Sequence, residues 1–143
     1  MYNKVFEKLG YEEVVLWEVL HIKKEQELCI EFISTNSKYR QGIRLAIDVG
    51  EGYLEIDNGR YKGGDLWEDI SPKRLNIKCV SEEGLLSVYN IFDSGKDGKA
   101  GRRSQLDYCG MLVEQKENAI LYRCEHSKIE PFFDKLVFKI ELL

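Results

Sequence analysis

Seven carboxylates fall between residues 48 and 69: Asp48, Glu51, Glu55, Asp57, Asp65, Glu68 and Asp69. Tyr53, Tyr61 and Trp67 stand among them. Three chemistries use such a set. Two carboxylates at a fixed separation can serve as acid and base on a glycosidic bond. Rings that stack on a sugar, with carboxylates accepting its hydroxyl protons, make a carbohydrate platform. Carboxylates around Tyr and Trp also suit a surface that covers a basic protein: the rings supply anchor area, and the charges steer the approach. The plain alternative is solvated surface, where carboxylates on strands and turns ordinarily sit. Alternation along a strand sends half of them to the opposite sheet face.

A second candidate is the loop Asp93-Ser94-Gly95-Lys96-Asp97-Gly98-Lys99-Ala100-Gly101. Asp93, Asp97 and Gly98 fit a calcium loop, but Gly95 takes the third place and Ser104 the twelfth, where carboxyl ligands belong. Gly98-Lys99-Ala100 lacks the hydroxyl and the first glycine of a phosphate-binding loop. Lys96, Lys99, Arg102 and Arg103 make its end basic, fit for an anionic partner or simply for water. Nucleophilic chemistry has little to work with. His21 and His126 are the only histidines. Cys124 and His126 share a strand face but stand about 6.6 Å apart along the backbone, beyond direct contact. No Gly-x-Ser-x-Gly elbow occurs. His21, on an apolar-rich segment, reads as a structural histidine. Cys29, Cys79, Cys109 and Cys124 are 50, 30 and 15 residues apart, so no pair makes a zinc or redox motif. Free, buried thiols are expected. The expectation is therefore a protein that is not an enzyme and has no metal and no cofactor.

The elements that must position these residues are strands. Ile43, Leu45, Ile47 and Val49 alternate with polar or small residues. Leu28-Ile30-Phe32, Leu75-Ile77-Cys79 and Leu136-Phe138-Ile140-Leu142 repeat the period of two. Tyr53–Asp57 and Arg60–Lys62 flank Asn58-Gly59, a strong hairpin signal. Leu85–Phe92, Gln105–Glu114 and Ala119–Glu125 read as further strands, with Gln115–Asn118 as a turn and His126–Pro131 as a connection. Gly110 suggests a bulge or a close backbone approach. Glu12–Ile22 fits either a helix or a strand, and its valines favour the strand. A short helix fits near the N-terminus or over Asp65–Ile70. The fold class is all-β: an antiparallel β-sandwich, jelly-roll-like, of about nine strands with one or two short helices at most. Residues 1–143 are expected to form a single domain.

The chain of 143 residues is 43% hydrophobic and 32% charged, enough apolar material for a core. No apolar run approaches the ~20 residues of a membrane span, and the start lacks a secretory leader. The expected location is cytoplasmic. Net charge is −4, and residues 1–70 hold 14 acids against 9 Lys/Arg. That balance argues against direct nucleic-acid binding.

In general character the chain resembles the small immunity proteins of bacteria, which neutralise delivered toxins in contact-dependent growth inhibition. The resemblance rests on an acidic domain without a secretory leader or a catalytic set, and on the acidic and aromatic stretch Asp48–Asp69. It implies a one-to-one complex with a cognate protein toxin, often a nuclease, whose basic cleft an acidic face would occlude. The expected partner-binding residues are Glu55, Asp57, Tyr61, Trp67, Glu68 and Asp69. Trp67 is the expected anchor, and Trp67→Ala should cost on the order of 2 kcal/mol of binding. A sandwich module that binds a small ligand or a carbohydrate is the alternative.

Overall fold

The structure, a computed structural model, describes residues 1–95, 101–106 and 108–143. The described residues form one short helix, α1 (Lys4–Lys8), and twelve strands. In chain order these are β1 (Glu18–His21), β2 (Glu25–Thr35), β3 (Arg40–Ala46), β4 (Gly52–Ile56), β5 (Gly59–Tyr61) and β6 (Gly63–Trp67). There follow β7 (Arg74–Ser81), β8 (Leu85–Asp93), β9 (Arg102–Ser104), β10 (Gly110–Lys116), β11 (Ala119–Glu125) and β12 (Leu136–Leu142). They make two antiparallel sheets. One runs β10-β11-β12-β2-β7-β4-β5, the other β1-β8-β3-β6 with β9 added to β8. The alternation read from the sequence sets the inner faces. Leu28, Ile30 and Phe32 of β2 and Phe138 and Ile140 of β12 meet Ile43 and Leu45 of β3 and Leu86 and Val88 of β8 in one buried cluster. The fold is thus an all-β sandwich.

Local differences from the sequence reading have simple causes. The hairpin turn lies one residue earlier than Asn58-Gly59. Asp57 and Asn58 hold the left-handed conformation (φ 48° and 68°), and Gly59 pairs with Ile56. Gly59 is small for another reason: a Cβ there would strike the Tyr61 ring. β10 begins only at Gly110: Gln105 is left-handed (φ 53°) and the Cys109 amide donates to Leu106 O. Twelve strands stand among the described residues where about nine were expected, and β6 and β9, which no segment of the sequence reading covers as strands, are short. Asp65–Ile70 is strand to Trp67 and then turn, and His21 is exposed on β1.

The two sides of the sandwich are treated unequally. On one side the first seventeen residues form a strap. Asn3 caps α1, its Oδ1 accepting from the Val5 and Phe6 amides while its Nδ2 donates to Cys109 O at 2.7 Å. Val15 and Met111 exchange both backbone hydrogen bonds at 2.9 Å, closing the free edge of β10. Phe6, Val14 and Phe133 pack beneath as a second cluster. Gly110 is where the strap comes closest, since a Cβ would collide with Val14 Cγ1. On the other side β5 ends one sheet and β6 ends the other. Only Lys62 separates them in the chain, and its carbonyl accepts from the Ile47 amide at 2.8 Å. Both strands present an open edge there.

Candidate functional site

The six expected partner-binding residues fall into two groups. Glu55, Asp57 and Tyr61 lie on the β4–β5 hairpin. Glu55 faces Arg60 across the hairpin at 4.0 Å, and the Arg60 guanidinium covers the Tyr53 ring at 4.4 Å. Asp57 and Tyr61 are exposed. Beside them a groove of about 460 Å³ is lined by Glu27, Glu55, Asp57, Asn58 and Lys78 among others. Trp67, Glu68 and Asp69 lie at the far end of β6. Trp67 is about 13 Å along that strand from Gly63, where β6 leaves the hairpin.

The second group is tied into the fold. The Trp67 ring lies across Gly42: a Cβ on Gly42 would stand 2.9 Å from Trp67 Cε3 and 3.2 Å from Ile91 Cγ1. The ring thereby helps cover Ile91, which is fully buried on the outer sheet face. Arg40 stacks on the ring at 4.5 Å and donates through Nε to both oxygens of Asp69, at 2.8 and 2.9 Å. Asp65 is likewise engaged, accepting from Arg102 at 2.6 and 3.1 Å and from Arg44 at 3.0 Å. Burial pushes the Asp65 carboxyl up, but the two guanidinium groups outweigh it and hold the carboxyl below its ordinary value. Among the described residues Asp48, Glu51 and Asp57 form no ion pair. Glu68, in the turn after β6, has none either, so the available acidity is divided between the hairpin side and that turn.

A second site was missed by sequence reasoning. A cavity of about 500 Å³ is lined by Tyr39, Phe92, Tyr108 and His126, with Lys38, Ser94, Arg103 and Ser127. Its residues come from the ends of β2, β8 and β11 and the starts of β3 and β9. The Phe92 and His126 rings stack at 4.6 Å with 23° between planes, and Tyr39 stacks on Phe92 at 6.0 Å. Lys38 Nζ lies 5.3 Å over the Tyr39 ring. The sequence reading offered Arg103, in the basic loop end fit for an anionic partner, but not the rings and Lys38 that converge with it.

The imidazole is held in place from behind. Ser37 Oγ and His126 Nε2 share a hydrogen bond of 2.8 Å, and the Tyr39 amide donates to the same hydroxyl at 3.0 Å. Glu125, fully buried, clamps the connection 126–135 at both ends: its carboxylate accepts from the His126 amide at 3.0 Å and the Phe133 amide at 3.2 Å. Lys135 Nζ completes this at 3.3 Å. Burial pulls the His126 pKa below its ordinary value, so the ring is neutral near pH 7. A hydroxyl bonded to a neutral imidazole is the start of a nucleophile–base pair. Here Ser37 stands outside the cavity lining.

Cys79 and Cys124 are poorly suited as nucleophiles. All four cysteines are buried and outside any disulfide. Burial pushes the Cys79 thiol up to about 12 and Cys124 well above its ordinary value. A thiol that stays protonated does not attack. In the glycine-rich loop, Asp93 Oδ1 accepts from the Gly95 and Gly101 amides, both at 2.8 Å. Lys96, Asp97, Gly98 and Lys99, which carried the calcium and phosphate comparisons, lie outside the described residues. Comparison with protein families, curated proteins and solved structures found no match.

Proposed function

We propose that this chain is a cytoplasmic inhibitor of a basic protein toxin, acting in the manner of the bacterial immunity proteins it resembles. Its contact surface is the open side of the sandwich at β5 and β6, with Glu55, Asp57 and Tyr61 at the centre. Trp67, Glu68 and Asp69 extend that surface along β6.

What carries the reading is the unequal treatment of the two sides. A free strand edge presents unpaired amides and carbonyls that invite another chain, and proteins usually cover it. Here the strap closes the outer edge of β10, whereas no strand among the described residues pairs with the outer edges of β5 and β6. Next to the open edges stand exposed Tyr61 and the unpaired carboxylates of Asp57 and Glu51. A tyrosine anchor ringed by carboxylates fits a basic cleft, and its charges speed the encounter at low salt. The carbohydrate alternative has less support on this face. The groove at Glu55 and Asp57 has no ring in its lining, and Arg60 already covers Tyr53.

The test is capture followed by rescue. The tagged protein is exposed to lysate of its native cell at low and high salt, beside the variant Glu55→Lys/Asp57→Lys/Tyr61→Ala. The expected result is a stoichiometric basic partner that the variant fails to retain. That partner, expressed alone, should arrest growth, and co-expression of the wild type should restore it. Equal capture and equal rescue by the variant would remove this surface from the mechanism. A partner without toxicity would remove the inhibitor role.

A further inference from the structure

We propose that the cavity between Tyr39, Phe92 and His126 binds a small aromatic phosphate monoester, a nucleoside monophosphate being the ready example. The ring of the ligand lies against the aromatic wall, and its phosphate is held by Lys38 and Arg103. This site is separate from the protein-binding surface and does not depend on it.

Four observations converge. The volume, about 500 Å³, suits a single small ligand. Four of the lining residues are ring-bearing; Phe92 stacks on both His126 and Tyr39, and Tyr39 and His126 meet at a tilt of 43°, so three of the rings form one packed aromatic wall. A flat ligand adds to such a stack at little entropic cost. The two charged groups in the lining, Lys38 and Arg103, are both cationic, and no described carboxylate lines the cavity. Both cations are exposed, and neither is ion-paired among the described residues. A phosphate monoester brings nearly two negative charges, and a guanidinium and an ammonium together match it. Ser94 adds a hydroxyl to the lining for the polar groups of a sugar, while the Ser127 hydroxyl is engaged with the Ile129 backbone.

The wall is also preorganised. Glu125 fixes both ends of the 126–135 connection, and Ser37 fixes the imidazole. Behind the wall, Gln41 and Asn90 are almost wholly buried, and one side-chain oxygen on each has no partner. Gln41 is the cross-strand partner of Phe92, and Asn90 shares its face of β8. A polar layer directly beneath an aromatic wall is unusual packing for a sandwich core, where unpaired buried acceptors are rare. It marks this end as built for something other than packing alone.

The cavity holds one ring and one phosphate; it is no track for a strand. The experiment is titration calorimetry of the full chain with AMP, phenyl phosphate, inorganic phosphate and a short single-stranded oligonucleotide. Amide chemical shifts are followed in parallel. AMP and phenyl phosphate should bind one-to-one with submillimolar Kd, shifting the amides of Tyr39, Phe92 and His126. Inorganic phosphate should bind at least about tenfold more weakly, for want of the ring. Arg103→Ala and Lys38→Ala should each weaken phenyl phosphate by about tenfold or more, the loss of one charge-assisted bond. Both residues are exposed, so unchanged far-ultraviolet dichroism is expected. Three results would overturn the proposal. One is no binding of either aromatic phosphate below about 10 mM. Another is equal binding of inorganic phosphate, or retention by the double variant, either of which would mean charge attraction without a site. The third is an oligonucleotide that binds far more tightly than AMP, which would make the face a nucleic-acid platform.

Discussion

Trp67→Ala separates two roles that the sequence assigns to one side chain. A free anchor would lose partner affinity and leave the fold alone. The structure ties the ring to Gly42, Ile91 and Arg40 instead. An aromatic side chain buries ~150–250 Å² when covered, and Trp67 is well over half covered, so at least ~100 Å² of apolar contact is at stake. At ~25 cal/mol per Å² that is about 2.5 kcal/mol. The Arg40 stack adds ~0.5–1 kcal/mol at an exposed position. The variant should therefore be destabilised by about 3 kcal/mol. For a chain of this size each kcal/mol moves the midpoint by ~3–4 °C, so Tm should fall by about 10 °C. Thermal and urea unfolding followed by dichroism measure both. A double-mutant cycle with Arg40→Ala should show positive coupling, because both side chains and Asp69 form one stack. A Tm within about 1 °C of wild type would refute this reasoning and return Trp67 to the pool of free anchors.

Three further outcomes test other parts of the fold. Burial raises the Glu18 pKa, and the Tyr122 hydroxyl only partly offsets it. A raised acid stabilises the fold below its ordinary value of 4.5, and that contribution is lost as pH rises through the folded value. Glu18→Gln should therefore gain Tm relative to wild type between pH 4 and pH 7; a gap independent of pH would contradict this. Asp65 has the opposite sign, because Arg102 and Arg44 outweigh its burial. Its stabilisation is present above the ordinary 3.8 and is lost as pH falls through the lowered folded value, so Asp65→Asn should flatten the acid limb of Tm against pH. An unchanged acid limb would mean that the guanidinium groups contribute nothing net. Gly110→Ala should cost about 1–3 kcal/mol by overpacking against Val14. Hydrogen exchange should quicken first at Asn3, Val15 and Met111, and uniform quickening through β2 and β12 would place the strain elsewhere.

The sandwich was legible because its strands bury one face and expose the other. Period-two alternation in β2, β3, β7 and β12 carries that information directly, and the helical spacing of Val15, Val19 and Ile22 was its one false note. Short strands were not legible. β6 is Gly63-Gly64-Asp65-Leu66-Trp67, and its strand character comes from pairing with β3 and from the Arg44–Asp65 and Trp67–Gly42 contacts across that pair. β9 is three residues held to β8, with Arg102 reaching past β8 and β3 to Asp65. Neither has enough length for periodicity to register. The acidic stretch was legible as a stretch, but its pairing was not. Arg40, Arg44 and Arg102, which neutralise Asp69 and Asp65, come from outside it.

The cavity shows the limit of reading along a chain most sharply. Its rings are Tyr39, Phe92, Tyr108 and His126, on four separate segments, and its cations are Lys38 and Arg103. Antiparallel pairing brings them together: β3 begins where β8 ends, so Tyr39 lies beside Phe92, and the Glu125 clamp turns His126 onto the same ring. The same residues include Arg40, which follows Tyr39 in the chain and holds Trp67 and Asp69. The expected site was therefore split by topology. Glu55, Asp57 and Tyr61 stay with the groove that includes Glu27, near the start of β2. Trp67 and Asp69 lie toward the cavity end, with Trp67 about 13 Å along β6 from Gly63. A ligand in the cavity and a partner centred on the hairpin thus share no lining residue and approach each other only at the Trp67 end of β6. Arg103→Ala should weaken the first by about tenfold and spare the second, whereas Asp57→Lys should do the reverse.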